Sequence, residues 1–274
     1  MAPEDSGRLR FLRRAGDPPR RRFRRGVALL PSLFTVANLF CGYACIVYAM
    51  RGEYETAAPF IGFAIVLDML DGRIARLTGT ASDFGVEFDS LADVISFGVA
   101  PAILSFAWGL SSLGRLGWAA GFLFVTAAAM RLARFNIQSA SGGDKRYFVG
   151  MPSPAAAAIP AATVFAYPAG LFEREQALLA LPMVIVPALL MVSTIRFRSF
   201  KTIDLQMRRP YTVLLLIAVG IMLIATHAQA VLVAMAYTYL ASAFIGMAIN
   251  RLRRREVKPA EEGVRKEEDM RDAG

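Results

Sequence analysis

The chain carries eight apolar segments in succession, at approximately 31–50, 57–76, 86–109, 116–135, 153–171, 175–195, 211–227 and 229–249. Most approach the roughly 20 residues that a helix needs to cross a bilayer, and the seventh is short. The expected fold is an all-α polytopic membrane protein with about eight transmembrane helices. Composition agrees, since the set AVILMFWYC makes up 55% of the 274 residues. Exchanging Tyr for Gly, to match the usual reference set, gives about 60%, against ~45–50% in soluble domains. A net charge of +9 would suit nucleic acid. The basic residues, however, flank apolar spans and do not cluster with exposed aromatics, so no nucleic-acid partner is expected.

The positions of the charges orient the spans. With the N-terminus inside, only Arg51, Arg115 and Arg174 of the 31 lysines and arginines fall in outer loops. This asymmetry places both termini, and the connection between the second and third spans, on the cytoplasmic side. Three regions result: a basic, mostly disordered cytoplasmic arm (1–30), a transmembrane domain (31–250) and a charged cytoplasmic tail (251–274). A topology signal and a hold on anionic headgroups account equally well for the arm. Cys41 and Cys45, one helical turn apart in the first span, read as packing residues, and His227, the one histidine, as a loop residue.

Against this apolar background stands DMLDGRIARLTGTASDFGVEFDSLAD, residues 68–93. Asp68 and Asp71 are three apart and share a helix face; Gly85, Asp89 and Asp93 step by four and share another. The polar turn TGTASD lets the second helix fold back beside the first, so four acids converge near one end of a hairpin. Such a cluster repels itself in a low-dielectric setting and calls for cations. All-oxygen ligands favour a hard divalent ion, Mg²⁺ or Mn²⁺. Intramembrane acids often serve ion passage, so an ion-coupled transporter is one reading. Four acids interleaved with glycines favour another, in which two divalent ions clamp a diphosphate. Gly72 and Gly85 then leave room for a nucleotide, and Arg76 complements phosphate charge. In the first span Thr35 and Asn38, three residues apart, read either as an interhelical hydrogen-bonding pair or as lining for that site.

Asp68-x-x-Asp71-Gly72-x-x-Ala75-Arg76, then eight residues, then Gly85-x-x-x-Asp89-x-x-x-Asp93 matches the full signature of the CDP-alcohol phosphatidyltransferases. The chain resembles that family on every signature position. The resemblance implies a six-helix core, commonly in a homodimer, that transfers a phosphatidyl or phosphoalcohol group from a CDP-linked donor and releases CMP. By the same resemblance Asp68, Asp71, Asp89 and Asp93 hold two divalent ions, Asp93 is also the general base, and Gly72, Arg76 and Gly85 contact the CDP part. The segments PSLFTVANLFCGYACI, ARFNIQ, YFVGMPSPAAA and MVSTIRFRSFK are similar to the bacterial and archaeal branch that uses L-serine. Ser32 departs from it, because such relatives usually carry Asn after the proline. That branch implies an enzyme of the cytoplasmic (inner) membrane, its active site facing the cytoplasm, acting on CDP-diacylglycerol and L-serine. Glycerol 3-phosphate or inositol phosphate is the alternative acceptor, and would require extra arginines facing the acids.

A serine carboxylate needs a cationic partner, and Arg134, Lys145 and Arg146 of the longest inner loop are the candidates, though a topology role suits each equally. In that loop Gly142 to Arg146 reads as flexible, Phe148 and Met151 as re-anchoring residues, and Pro152 and Pro154 as the start of the fifth span. The alanines 155–158 read as a close helix contact. The charge asymmetry makes one direct prediction. A cysteine introduced at Ser82 is expected to react with an impermeant maleimide from the cytoplasmic side only, and CDP-diacylglycerol is expected to slow the reaction; labelling from outside would reverse the orientation.

Overall fold

The computed structural model describes residues 20–78, 82–140, 147–193, 196–198, 214–215 and 218–245. Nine helical segments account for nearly all of them. They are α1 (Arg20–Met50), α2 (Tyr54–Thr78), α3 (Asp83–Val94), α4 (Ala100–Trp108), α5 (Arg115–Ala140), α6 (Ser153–Ala166), α7 (Arg174–Ala180), α8 (Pro182–Val192) and α9 (Ala218–Ile245). Five stretches, 32–50, 83–108, 115–138, 174–192 and 218–245, are long and apolar enough to cross a membrane. With α2, whose Asp68, Asp71 and Arg73 interrupt an otherwise apolar length, they make a polytopic all-α membrane protein.

The first two helices form the hairpin on which the rest is laid. Arg51 to Glu53 turn the chain back, with Gly52 at φ 77 in the left-handed region. Ser82 then caps α3, its hydroxyl accepting from the Gly85 amide at 3.0 Å. A π turn, Ile95–Val99, joins α3 to α4 without a break. Its cause is in the sequence. Pro101 has no N–H for the carbonyl four residues back, and one wider turn accommodates its ring. Around this column, α4 packs on α1, α5 and α6, while α8 closes against α5 and α6. Phe97, Phe124, Ile61, Leu104 and Ile159 are fully buried between them. Ala57, Ala64, Ala128, Ala156 and Ala157 are buried too, which lets the helix axes approach closely, as expected for the 155–158 run. Cys41 and Cys45 are unpaired packing residues in the same core.

Four features differ from the sequence reading. First, α1 begins at Arg20, so helix runs through the last third of the segment expected to be a disordered arm. Arg, Leu and Ala are good helix formers, and no proline intervenes before residue 31 to stop them. Second, the expected seventh and eighth spans, 211–227 and 229–249, meet in one continuous helix, so the described residues do not reach eight crossings. His227 is therefore helical and exposed, 3.0 Å from the Thr226 hydroxyl, because Thr226 to Gln229 contains neither Gly nor Pro to form a loop. The charge asymmetry counted the tail as an inner segment on an eight-span basis, and that part of the count loses its footing.

Third, two short strands, β1 (Tyr147–Val149) and β2 (Arg196–Arg198), pair antiparallel with Phe148 opposite Phe197. Fourth, the fifth span is short, ending at Ala166 before the Tyr167–Pro168 corner. The ribbon and the residues after it fix where α6 begins. Gly150 follows β1 at φ 88, and a Cβ there would lie 2.4 Å from the Met191 carbonyl oxygen, so only glycine fits. The Met151 amide then donates to the Leu190 carbonyl at 3.0 Å, and its side chain is fully buried, re-anchoring the loop as expected. Phe148 pairs through its backbone. At the opposite end of the molecule the Trp108 indole donates to the Tyr167 carbonyl at 2.7 Å, and the Tyr54 hydroxyl to the Ala107 carbonyl at 2.6 Å.

Candidate active site

The ends of α2 and α3 bring three of the four acids to one point. Asp68 and Asp71 stand one turn apart near the end of α2, and Asp89 faces them from α3. One oxygen from each lies within 4.8 Å of the other two. Asp71 is buried and the other two are half-buried. Each ionised pair at that separation is worth about 3–4 kcal/mol of repulsion at an effective dielectric near 20. One oxygen of Asp89 is buried with no hydrogen-bond partner, a costly state unless a cation completes it. Clustered carboxylates with an orphaned oxygen fit a hard divalent ion held by Asp68, Asp71 and Asp89.

Asp93 is buried one turn further along α3 and is not one of the three clustered acids. A different contact holds it. The Asn38 side-chain amide donates to Asp93 Oδ1 at 3.1 Å, and the Thr35 hydroxyl donates to Asp71 Oδ2 at 3.0 Å. The two polar residues of α1 thus make the interhelical hydrogen bonds that one of the sequence readings expected, and each bond ends on an acid. Ser96, within the π turn, locks this arrangement by donating to the Asn38 carbonyl at 3.0 Å. Gly42 makes the approach possible, since a Cβ there would sit 2.5 Å from the Ser96 hydroxyl.

Gly85 lies in the first turn of α3, and beyond the Ser82 hydroxyl at 3.1 Å a Cβ there would meet nothing within 4 Å. Gly72 is half-buried on α2, beside Asp71. A ligand can approach the backbone at Gly85. The side chain of Arg76 lies outside the described residues, as do Lys145 and Arg146. Arg134 is half-buried on α5 and makes no hydrogen bond or ion pair among the described residues. A different arginine, one turn earlier, faces the acids. Arg131 donates to the Ser153 hydroxyl at the start of α6 and lies within electrostatic reach of Asp93 and Asp68.

Arg131 and Ser96 escaped the sequence reading. Arg131 looked like a topology charge, and an isolated serine in an apolar span carries no signal of its own. The one available clue to Arg131 was its place on the same helix face as Arg134 and Phe135, three and four residues away.

Residues 28–186 match the family model of the CDP-alcohol phosphatidyltransferases, and the chain belongs to that family. It is therefore a membrane-embedded phosphatidyltransferase by descent. Among its relatives is a Helicobacter pylori protein named CDP-diacylglycerol–serine O-phosphatidyltransferase, 42% identical over 181 residues, covering 66% of this chain and 76% of the relative. A Mycobacterium leprae protein of the same name is 42% identical over 143 residues, covering 51% and 47%. A Methanocaldococcus jannaschii protein of that name is 38% identical over 133 residues, covering 48% and 59%.

The geometry predicts how the acids divide. Asp71→Asn and Asp89→Asn are expected to weaken Mn²⁺ binding, read by electron paramagnetic resonance of the purified protein, by about 10–100-fold or more. Asp93→Asn is expected to change it far less in the absence of substrate. Equal losses at all three positions would make Asp93 a full ligand of the same ion.

Proposed function

We propose that this protein transfers the phosphatidyl group of CDP-diacylglycerol to the hydroxyl of L-serine and releases CMP. The observation that carries the chemistry is the triad of Asp68, Asp71 and Asp89 with a fourth, separately held acid beside it. The relatives' names support serine as the acceptor, and so do the segments around the acidic signature that resemble the serine-using branch.

In this reading the acyl chains stay in the bilayer and the diphosphate lies at the end of α2 and α3, against Gly72 and Gly85, with Arg76 contributing positive charge. Asp68, Asp71, Asp89 and Asp93 would hold two divalent ions. Mg²⁺ or Mn²⁺ bound there would supply positive charge against the diphosphate and the departing CMP phosphate. Asn38 orients Asp93, whose carboxylate takes the proton from the serine hydroxyl as that oxygen attacks the lipid-side phosphorus. The new P–O bond forms as the bond to CMP breaks. The active site faces the cytoplasm of a bacterial or archaeal inner membrane, where soluble serine reaches it, and the homodimer implied by the family resemblance is part of the same proposal.

Detergent-purified protein with CDP-diacylglycerol and Mn²⁺ is expected to release CMP when L-serine is added, and not with glycerol 3-phosphate or inositol phosphate. Release with one of the phosphorylated acceptors alone would reassign the substrate. Asp93→Asn is expected to lower kcat by about 10²–10⁴-fold, the ordinary contribution of a general base. Donor binding is expected to be largely spared; a loss of donor binding as large as the loss of rate would make Asp93 structural.

A further inference from the structure

We propose that Arg131 is the binding site for the acceptor's carboxylate, and that Ser153 is its positioning residue. This rests on serine as the acceptor and names what selects it. The guanidinium is half-buried on α5, on the side of the helix that faces the acids. Among the described residues its only hydrogen bond is to Ser153, and it forms no direct ion pair with Asp93 or Asp68 although both charges act on it. Asp93 is occupied instead by Asn38. A planar fork of donors is thus held at one edge by Ser153, with the Tyr239 phenol also within electrostatic reach of it. That geometry suits a carboxylate, which takes two parallel hydrogen bonds from it.

The start of α6 adds to the same attraction. Pro152 precedes the helix with extended backbone and provides no side-chain cap. The first backbone bonds there run from the Met151 amide to Leu190 and from the Ala156 amide to Pro152. The amides of Ser153 and Ala155 therefore have no backbone acceptor among the described residues, and Pro154 between them has no N–H. The free end of a 14-residue helix points its positive pole where Arg131 is tethered. Ser153 itself is fully buried, so its hydroxyl serves the guanidinium and not solvent.

Placement explains selectivity. A zwitterionic acceptor anchored by its carboxylate at Arg131 has its hydroxyl free to turn toward Asp93, the acid whose charge acts most on that guanidinium. A single tethered arginine suits one carboxylate; a phosphate monoester carries more charge and a third oxygen for which no second described arginine contacts this pair. The Gly150 turn and the β1–β2 ribbon then acquire a purpose, since they fix the residue that aims Arg131.

The test compares L-serine with L-serinamide, which keeps the hydroxyl and the amine but lacks the carboxylate. Wild-type protein is expected to prefer L-serine in kcat/KM by about 10–100-fold, the scale of a charge-assisted hydrogen-bonded pair. Arg131→Gln is expected to raise the KM for L-serine by a similar factor and bring the serine-to-serinamide ratio close to one. Its CDP-diacylglycerol binding is expected to stay within about threefold of wild type, because the donor lies against α2 and α3. Ser153→Ala is expected to raise the KM for L-serine with little change in kcat. If Arg131→Gln fails to bind donor at all, Arg131→Lys takes its place, with a reduced but measurable ratio expected. Wild-type protein that uses serinamide as well as serine would overturn the proposal without any variant. So would a variant that binds donor and keeps the wild-type ratio. Absence of serine-dependent CMP release from wild type would instead overturn the serine-acceptor reading on which the proposal rests.

Discussion

Carboxylates do not gather inside a membrane protein without compensation, and this structure is arranged around one such gathering. Asp68, Asp71 and Asp89 hold oxygens within 4.8 Å of one another, two on α2 and one on α3. In the proposed function their repulsion is met by divalent cations, and the arrangement also depends on whatever keeps α2 and α3 from parting. The packing of α1 along α2 provides part of that support. The packing of α1 on α3 and the Thr35 and Asn38 hydrogen bonds, each ending on an acid, add to it. Polar contacts of this kind, within an apolar bundle, fix helix register as well as contributing stability.

The π turn extends the same logic. By widening the helix between Asp93 and Pro101 it presents Ser96 to the Asn38 carbonyl, and Gly42 is small enough to admit it. A proline whose first effect is to break helical hydrogen bonding thereby helps to aim an acid two turns away. The far end of the bundle is built differently. Tyr54, Trp108, Tyr167 and Leu171 tie helix ends together through backbone carbonyls and amides, and the apolar cavity beside them is lined by residues such as Leu179 and Phe244. The molecule thus has a charged, hydrogen-bonded end, where the proposed chemistry lies, and an apolar end.

The sequence revealed the acids because their spacing, three and then four, is a property of the helix itself. It revealed Thr35 and Asn38 because polar residues are conspicuous in an apolar span. The structure decided what those two residues bind, which no spacing could, because their partners lie 36 and 55 positions away. Arg131 was concealed by its similarity to any other arginine at the end of a span. Its assignment depends on Ser153, which reaches it only through the loop after α5 and the Gly150 turn. The ribbon was illegible for a related reason. Three-residue strands have no periodicity to read, and pairing Tyr147–Val149 with Arg196–Arg198 is a long-range event. The continuous α9 shows the converse limit. His227 was read as a loop residue between two spans, whereas the local helix propensity carried the chain straight through.

The central claim is that the three clustered acids are a divalent-ion site at the end of the α2–α3 hairpin. The most direct measurement is an experimental structure of the protein with Mn²⁺, with anomalous diffraction recorded at the manganese edge. The account predicts a peak in contact with carboxylate oxygens of Asp68, Asp71 and Asp89. Saturating Mn²⁺ with no peak at that position, or with the ion bound by other residues, would contradict it.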